Sequence, residues 1–397
     1  MQNVLVIGFN TRNIVCSAHR AGYRVFSLDA FQDFDLRKCA YESALLECRS
    51  AKELHQLDSS RIKSQLAEFG LEFDAVILGS GLETFDRSIF SCPVFASSPA
   101  VVKKASNKIS LSKRLKKLGV SHPQRYSTDE LDCIEYPVMV KPAVGGGGIF
   151  NRIAKDKHEL LCILEEFSGR DPDLENKVLI QAFLEGIPLS ISLLSTKREA
   201  LSMAVNEQLI GVSWLSRLPF AYCGNITPFK TEKAGEMEEI AEDIILNFGL
   251  EGSNGVDFLL TENGPVVLEI NPRFQGSLDT VEKATGLNLF ESHIGCFEGR
   301  LPEKPIAKCF AARGILYSDR ELFIDRELMD VILGEEAADI PLQGTIIEPD
   351  WPVASLFSRT PTKEEAILSL EKGAKKLKNF IENQTKNRNK PEPYHKV

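Results

Sequence analysis

The chain has 397 residues, 43% of them hydrophobic and 26% charged, with a formal net charge of −9. That length exceeds one ordinary core and points to two or three domains. The acidic balance excludes nonspecific binding to nucleic-acid backbones, because no broad basic field exists to hold them. A phosphorylated ligand would have to be held by a few local cations and a metal. No apolar run approaches the roughly 20 residues of a membrane span, and the start, Met1-Gln2-Asn3-Val4-Leu5-Val6-Ile7-Gly8, reads as a strand too short for a signal peptide. Nine cysteines are scattered without a CxxC pair, beside only six histidines. This pattern argues against structural zinc and for mostly buried, reduced thiols in a cytoplasmic protein.

The first hundred residues alternate strand and helix, with strands expected at 4–7, 23–28, 75–78 and 94–95 and helices to about 21 and over 51–69. A small α/β domain with a parallel sheet follows. Its loop Gly8-Phe9-Asn10-Thr11-Arg12-Asn13 invites a dinucleotide reading, with Asp29 where a ribose-binding acid would stand. The second and third glycines of that fingerprint are missing, so a βα turn lining a cleft for some other small molecule is the better reading. Ser98-Pro99 caps a helical link, and a second helix over 108–118 ends at Gly119.

From residue 136 the chain is strand-rich, with strands expected at 137–141, 178–184, 190–195 and 200–205. A helix over 231–248 precedes a hairpin, and helices near 279–285 and 289–297 follow it. Beyond about 303 come strands at 311–317 and 353–357. Thr362 and Glu365 then form a capping box for an amphipathic helix with Ala366, Ile367, Leu370, Ala374, Leu377 and Ile381 on one face. That face is expected to pack on the core or at a subunit contact, which leaves a homodimer open. The last residues, 383–397, are polar and lysine-rich and read as a disordered tail.

Two segments carry chemistry. In the first, a strand ends in Lys141 and runs through Pro142-Ala143-Val144 into Gly145, Gly146, Gly147 and Gly148. Glycines let backbone N–H groups converge on phosphate oxygens, the lysine adds a point charge, and a flexible loop can close and shut out water. The spacing is not that of a P-loop, and a bare glycine run also suits a hairpin tip. The second segment, 256–273, reads as two strands around an Asn-Gly turn. A three-residue loop over 262–264 pairs Leu260 with Val266, Phe258 with Leu268 and Val256 with Ile270, making one face apolar. A two-residue loop would set Phe258 against Glu269. The apolar register is therefore expected, and it places Asp257 opposite Glu269 with Asn271 two residues along. Packed carboxylates repel unless a cation lies between them, and hard oxygen ligands of this kind suit Mg²⁺ or Mn²⁺. A solvated polar face is the bland alternative.

Taken together, these motifs resemble the ATP-grasp superfamily, the fold of biotin carboxylase and D-alanine:D-alanine ligase, over roughly residues 1–300 and in the family's order. Asn107-Lys108 with the following helix and Gly119-Val120-Ser121-His122-Pro123 is similar to the family's first nucleotide lysine and its surroundings. Lys141 with Gly145 to Gly148 is similar to the second lysine and its phosphate-covering loop. The stretch with Gln181, Ala182, Phe183, Leu184 and Glu185 is similar to the hinge whose backbone faces adenine, with Gln181 in place of the usual acid. Asp257, Glu269 and Asn271 fall on the family's metal ligands, and Arg273 on the arginine that often acts at the reaction centre.

The resemblance implies a mixed α/β and α+β architecture. An N-terminal Rossmann-like parallel-sheet domain (1–100) and a helical link (101–135) come first. Then follow an ATP-binding small lobe (136–195) and a large lobe with the metal site (196–303), both with antiparallel sheets, and a C-terminal extension on the core (304–382). It further implies ATP and Mg²⁺ as cofactors, with Lys141 and Arg273 catalytic. The activity implied is an ADP-forming ligase joining a small-molecule carboxylate to an amine through an acyl phosphate, with no nucleic-acid or membrane partner. The sequence Gln275-Gly276-Ser277 after Arg273 lacks the recognisable bicarbonate-binding cluster, so a carboligase working through carboxyphosphate is the alternative. A noncatalytic nucleotide sensor and an NAD-dependent dehydrogenase are more distant ones.

Overall fold

A computed structural model of the chain describes residues 2–48, 59–168 and 178–388. The N-terminal residues form a four-stranded parallel sheet in the order Glu42–Leu45, Arg24–Asp29, Asn3–Gly8, Ala75–Leu78. Leu5, Ile7, Phe26, Leu28 and Val76 are buried on it, as central parallel strands covered on both faces require. The strand expected at 94–95 is a single parallel bridge, Val76 to Val94. The helix expected over 51–69 is seen as Ser59–Ala67; residues 51–58 lie outside the described ones.

Helices Pro99–Ser106 and Lys108–Leu118 form the link. The second is capped by the Asn107 side chain accepting from Ser110 N at 2.9 Å, and it ends at Gly119 with φ 70°. The link leads to an antiparallel sheet in the order Arg125–Tyr126, Val178–Ala182, Val138–Pro142, Arg152–Ala154, packed against helix Lys157–Ser168.

An eight-stranded sheet makes up the rest, in the order Gly264–Asn271, Gly252–Thr261, Ile187–Ser195, Ala200–Ile210, Tyr222–Thr227, Phe310–Tyr317, Pro352–Thr360, Ala337–Ala338. The strand Ile187–Ser195, placed by the sequence reading in the small lobe, therefore pairs in the large sheet, with Ser190 opposite Asp257. Residues beyond 303 add three strands to the same sheet, because Phe310–Tyr317 pairs along the edge of Tyr222–Thr227. Helix Ala234–Phe248 covers one face through Met237, Ala241, Ile244 and Ile245, packed on Leu189, Ile191, Val256 and Phe258. Helices Leu278–Thr285 and Leu289–Phe297 cover the other and meet the N-terminal helix Arg12–Arg20.

The terminal helix Lys363–Arg388 buries Ala366, Leu370, Ala374, Leu377 and Ile381, the face read from the sequence. It runs past residue 383, where the tail was expected to begin. Gln384 is tied to Asp325 at 3.0 Å, and good helix formers continue the turn. Residues 389–397 lie outside the described ones.

The cysteines correct another expectation. Cys16 and Cys39 form a disulfide with Cα atoms 5.1 Å apart, and of the free thiols only Cys223 and Cys296 are buried, while Cys133 and Cys162 are exposed. Sequence periodicity does not bring Cys16 and Cys39 together. The packing of helix Phe34–Cys39 on Arg12–Arg20 does. Among the described residues no helix is long and apolar enough to cross a membrane.

Candidate active site

The acidic hairpin faces the small lobe. Asp257 is paired with Glu269 and Val256 with Ile270, as the apolar register requires. The turn differs from expectation: it has two residues, Glu262 and Asn263, so that Phe258 meets Val267 and Leu260 meets Pro265. A β-bulge at Leu268 absorbs the extra residue and restores the Asp257–Glu269 register. A bulge beside a functional site re-aims side chains without a register slip.

Asn271 donates its Nδ2 to Asp257 Oδ2 at 3.1 Å. Burial and the facing Glu269 push the Asp257 carboxyl well above the usual range. For Glu269 burial acts the same way, but Lys108 and then Lys141 outweigh it and hold the group ionised.

Lys108 opens its helix just after the cap, and its Nζ reaches both Glu269 Oε2 at 3.0 Å and the carbonyl oxygen of Gly145 at 2.6 Å. Lys141, on the strand Val138–Pro142, is 7% exposed. Burial and then Lys108 lower its pKa while Glu269 and Asp257 oppose them, leaving it at about 8. The glycine loop spans from the small lobe to the large one: Tyr222 N donates to Gly147 O at 3.2 Å. Gly148 has φ 71°, and a Cβ there would run into the carbonyl oxygen of Phe220.

Gln181 is 8% exposed and lines a narrow cleft with Lys108, Ser112, His122, Leu179 and Val267. The cleft runs between the lobes from the helical link to the metal hairpin. The backbone N–H groups of Ala182 and Phe183 are engaged by Gln124 O and Pro137 O, so these two do not turn their donors to the cleft. Leu184 is half-buried and Glu185 exposed in the connection onward.

Arg273 stands where three parts of the chain meet. Its Nε pairs with Glu83 Oε1 of the N-terminal sheet's last loop at 2.9 Å, its Nη2 lies 3.4 Å from Asn271 Oδ1, and Gly146 of the glycine loop approaches Nη2. Lys108, Lys141, Asp257, Glu269, Asn271 and Arg273 are therefore brought together around the loop carrying Gly145 to Gly148.

Several groups here were not singled out from sequence. Gln208 hydrogen-bonds Asp257. Alternation on Ala200–Ile210, which puts Asn206 and Gln208 on one face, was its only local signal. Glu83 and Arg313 carried no such signal, since their partners are remote in sequence. The dinucleotide reading of the first loop also fails on geometry. Asp29 is fully buried and accepts from Thr11 N, Thr11 Oγ1, Phe31 N and Gln32 N at 2.7 to 2.9 Å, which leaves no acceptor for a ribose.

Comparison with known proteins agrees with this arrangement. Residues 105–277 match the family model described as the ATP-grasp domain. The chain is 26% identical over 377 residues, 90% of its length and 88% of the relative's, to an uncharacterised protein of Methanocaldococcus jannaschii. It is 28% identical over half its length to the carbamoyl phosphate synthase large chain of Pyrococcus furiosus, of which it spans 19%. Among solved structures it is similar to the biotin carboxylase domain of the Hydrogenobacter thermophilus 2-oxoglutarate carboxylase, in complex with MgADP, ADP and bicarbonate. There the TM-score is 0.71 at 17% identity, covering 92% of this chain and 88% of that one. The L-amino acid ligase of Bacillus licheniformis gives a TM-score of 0.67 at 16% identity, covering 95% and 98%. Residues 105–277 thus match the ATP-grasp domain model, and the chain as a whole shares its fold with these solved structures.

Proposed function

We propose that this protein is an ATP-dependent ligase that phosphorylates a small-molecule carboxylate and passes the acyl phosphate to an amine, releasing ADP and phosphate. The observation that carries this reading is the convergence of Lys108, Lys141, Asp257, Glu269, Asn271 and Arg273 beneath the glycine loop. The donor set fits Mg²⁺ or Mn²⁺: two carboxylates and an amide are hard ligands, and two carboxylates buried face to face, Asp257 against Glu269, mark a position that suits a dication. Asp257, Glu269 and Asn271 would hold the ion, which when bound neutralises charge on nucleotide phosphates.

The chain's own residues supply the rest. Lys108 and Lys141 present fixed positive charge to phosphate oxygens. The Arg273 guanidinium offers a planar fork for a carboxylate or a developing oxyanion. An acyl phosphate hydrolyses readily, so closure of the loop at Gly145 to Gly148 protects it from water. Cleft residue Gln181 supplies an amide oxygen for an exocyclic amine. A cytoplasmic setting and small-molecule substrates belong to the same reading.

A carboligase using bicarbonate is the second reading, favoured by the likeness to the biotin carboxylase domain. Against it, Gln275 turns its Nε2 to Arg273 O and Gly276 gives its carbonyl to Arg313, so this loop is spent on internal bonds. Phosphate release from Mg-ATP, screened across carboxylates and amines, tests the first reading, and radiolabelled bicarbonate incorporation separates the two. Glu269→Ala is expected to abolish turnover; near-normal ATP consumption by that variant would refute the metal assignment.

A further inference from the structure

The guanidinium of Arg273 is held by contacts of unequal strength. Nη1 donates to Phe274 O at 3.1 Å, a bond to the next residue that moves with Arg273 itself. Nη2 lies 3.4 Å from Asn271 Oδ1, at the long limit of a hydrogen bond. Nε meets Glu83 Oε1 at 2.9 Å in a charged pair, and this contact alone among them reaches a remote part of the chain. The group is a rigid plane, so pinning Nε sets where both terminal nitrogens stand.

Glu83 is itself firmly carried. It lies on the loop that leaves the C-terminal end of strand Ala75–Leu78, the end at which parallel sheets place ligand-binding groups. Gly79 N donates to Ile7 O at 2.7 Å, Phe9 N to Ser80 O at 2.9 Å and Phe85 N to Leu82 O at 3.0 Å. Gly81 makes the bend with φ 86°, and Leu82, next to Glu83, is buried in the core of the N-terminal sheet. The side chains of Glu83 and Arg273 are 19% and 25% exposed, so water screens the pair only in part. Among the described residues the Glu83 carboxylate makes no other ion pair or hydrogen bond.

The nitrogen turned toward the site is Nη2, with Gly146 of the glycine loop approaching it and Asn271 of the candidate metal set beside it. Lys108 is fixed by Glu269 and Gly145 O, and Lys141 by its burial on the small-lobe strand. Of these three cations, only Arg273 is set by the N-terminal domain.

We propose that Glu83 is the positioning residue for Arg273. It holds the guanidinium at Nε so that Nη2 faces Asn271 and the glycine loop, and through it the N-terminal domain completes the reaction centre. What Arg273 then does to a carboxylate or a developing oxyanion rests on the ligase reading. That Glu83 holds it in place does not.

The test uses the full chain as wild type, as Glu83→Gln, which keeps the shape and removes the charge, and as Glu83→Asp, which keeps the charge and shortens its reach. The first readout needs no turnover: the rate at which phenylglyoxal modifies Arg273, followed by mass spectrometry of its peptide. That rate is expected to rise severalfold in Glu83→Gln, with Glu83→Asp in between. The melting temperature is expected to stay close to wild type, because buried Leu82 still anchors the loop. The second readout is steady-state phosphate release with the carboxylate that the substrate screen identifies. There kcat is expected to fall about tenfold or more in Glu83→Gln, with the KM for ATP within about twofold of wild type because neither lysine is touched. A merely structural role would instead lower the melting temperature and leave kcat per folded molecule intact. An unchanged modification rate, a kcat within about twofold of wild type, or a loss confined to KM would each overturn the proposal. Absence of phosphate release from wild type would sink the ligase reading alone, and the modification rate would still decide whether Glu83 sets Arg273.

Discussion

His293 couples folding to pH. Its Nδ1 accepts from Ser253 N at 2.8 Å and its Nε2 faces Phe95 O at 3.0 Å, so the neutral ring is satisfied within the core. Burial lowers its pKa to about 4, with the Phe95 contact opposing. In the unfolded chain the ring titrates near 6.5. Between those values the unfolded state binds a proton that the folded state does not, so stability is full above about 6.5 and is lost as pH falls toward 4. The loss amounts to roughly 3 kcal/mol at most. Thermal unfolding across that range is expected to show it, and His293→Gln to flatten it. Lys141→Ala is expected to weaken binding of a nonhydrolysable ATP analogue by about tenfold or more. An unchanged dissociation constant in calorimetry would remove this lysine from the site. From sequence, Lys108 and Lys141 were singled out because one begins a helix and the other lies near the end of a strand in a recognisable context, whereas nothing marked His293, inside its helix. Asp29 was misleading for the same reason: its position in the chain matches a ribose-binding acid, while its hydrogen bonds are all internal.

At the scale of elements, alternating apolar residues fixed which faces of the hairpin are buried, and Asp257 met Glu269 as that pattern demands. The turn was misread because a bulge at Leu268 satisfies both a tight two-residue turn and the apolar register. Gly255, two residues before Asp257, is needed for close packing, since a Cβ there would stand 2.6 Å from Gln275 Cγ. The glycine loop offers a sharper test. Gly148→Ala meets both a left-handed backbone and the Phe220 carbonyl, so the loop must leave its seat on the large lobe. Nucleotide-dependent phosphate release is expected to fall by about tenfold or more, with a melting temperature close to wild type because the loop is exposed. Equal activity in the variant would show that this seat is not the working position of the loop.

Across the whole molecule, the C-terminal strands clamp the N-terminal sheet. Phe34 N donates to Ile340 O, Asp35 accepts from Asp339 N and Ile340 N, and Arg12 joins Asp35, Asp279 and Asp339. Arg12→Met leaves buried carboxylates uncompensated and is expected to cost about 3–5 kcal/mol in denaturant unfolding. A cost below 1 kcal/mol would mean that the network relaxes easily. The Cys16–Cys39 bond ties the helix bearing Arg12 to the one following Asp33. Thiol titration of the unfolded, unreduced chain is expected to find the seven free cysteines.

The local alphabet of the chain decided the parallel N-terminal sheet, the buried face of the terminal helix and the spacing of Asp257, Glu269 and Asn271, because burial periodicity and turn chemistry act between near neighbours in sequence. Only tertiary structure decided that Glu83 holds Arg273, that the residues beyond 303 extend the large sheet, and that Arg12 pairs with Asp279 and Asp339. Those relations join residues tens to hundreds of positions apart, where electrostatics and packing leave no periodic trace along the chain.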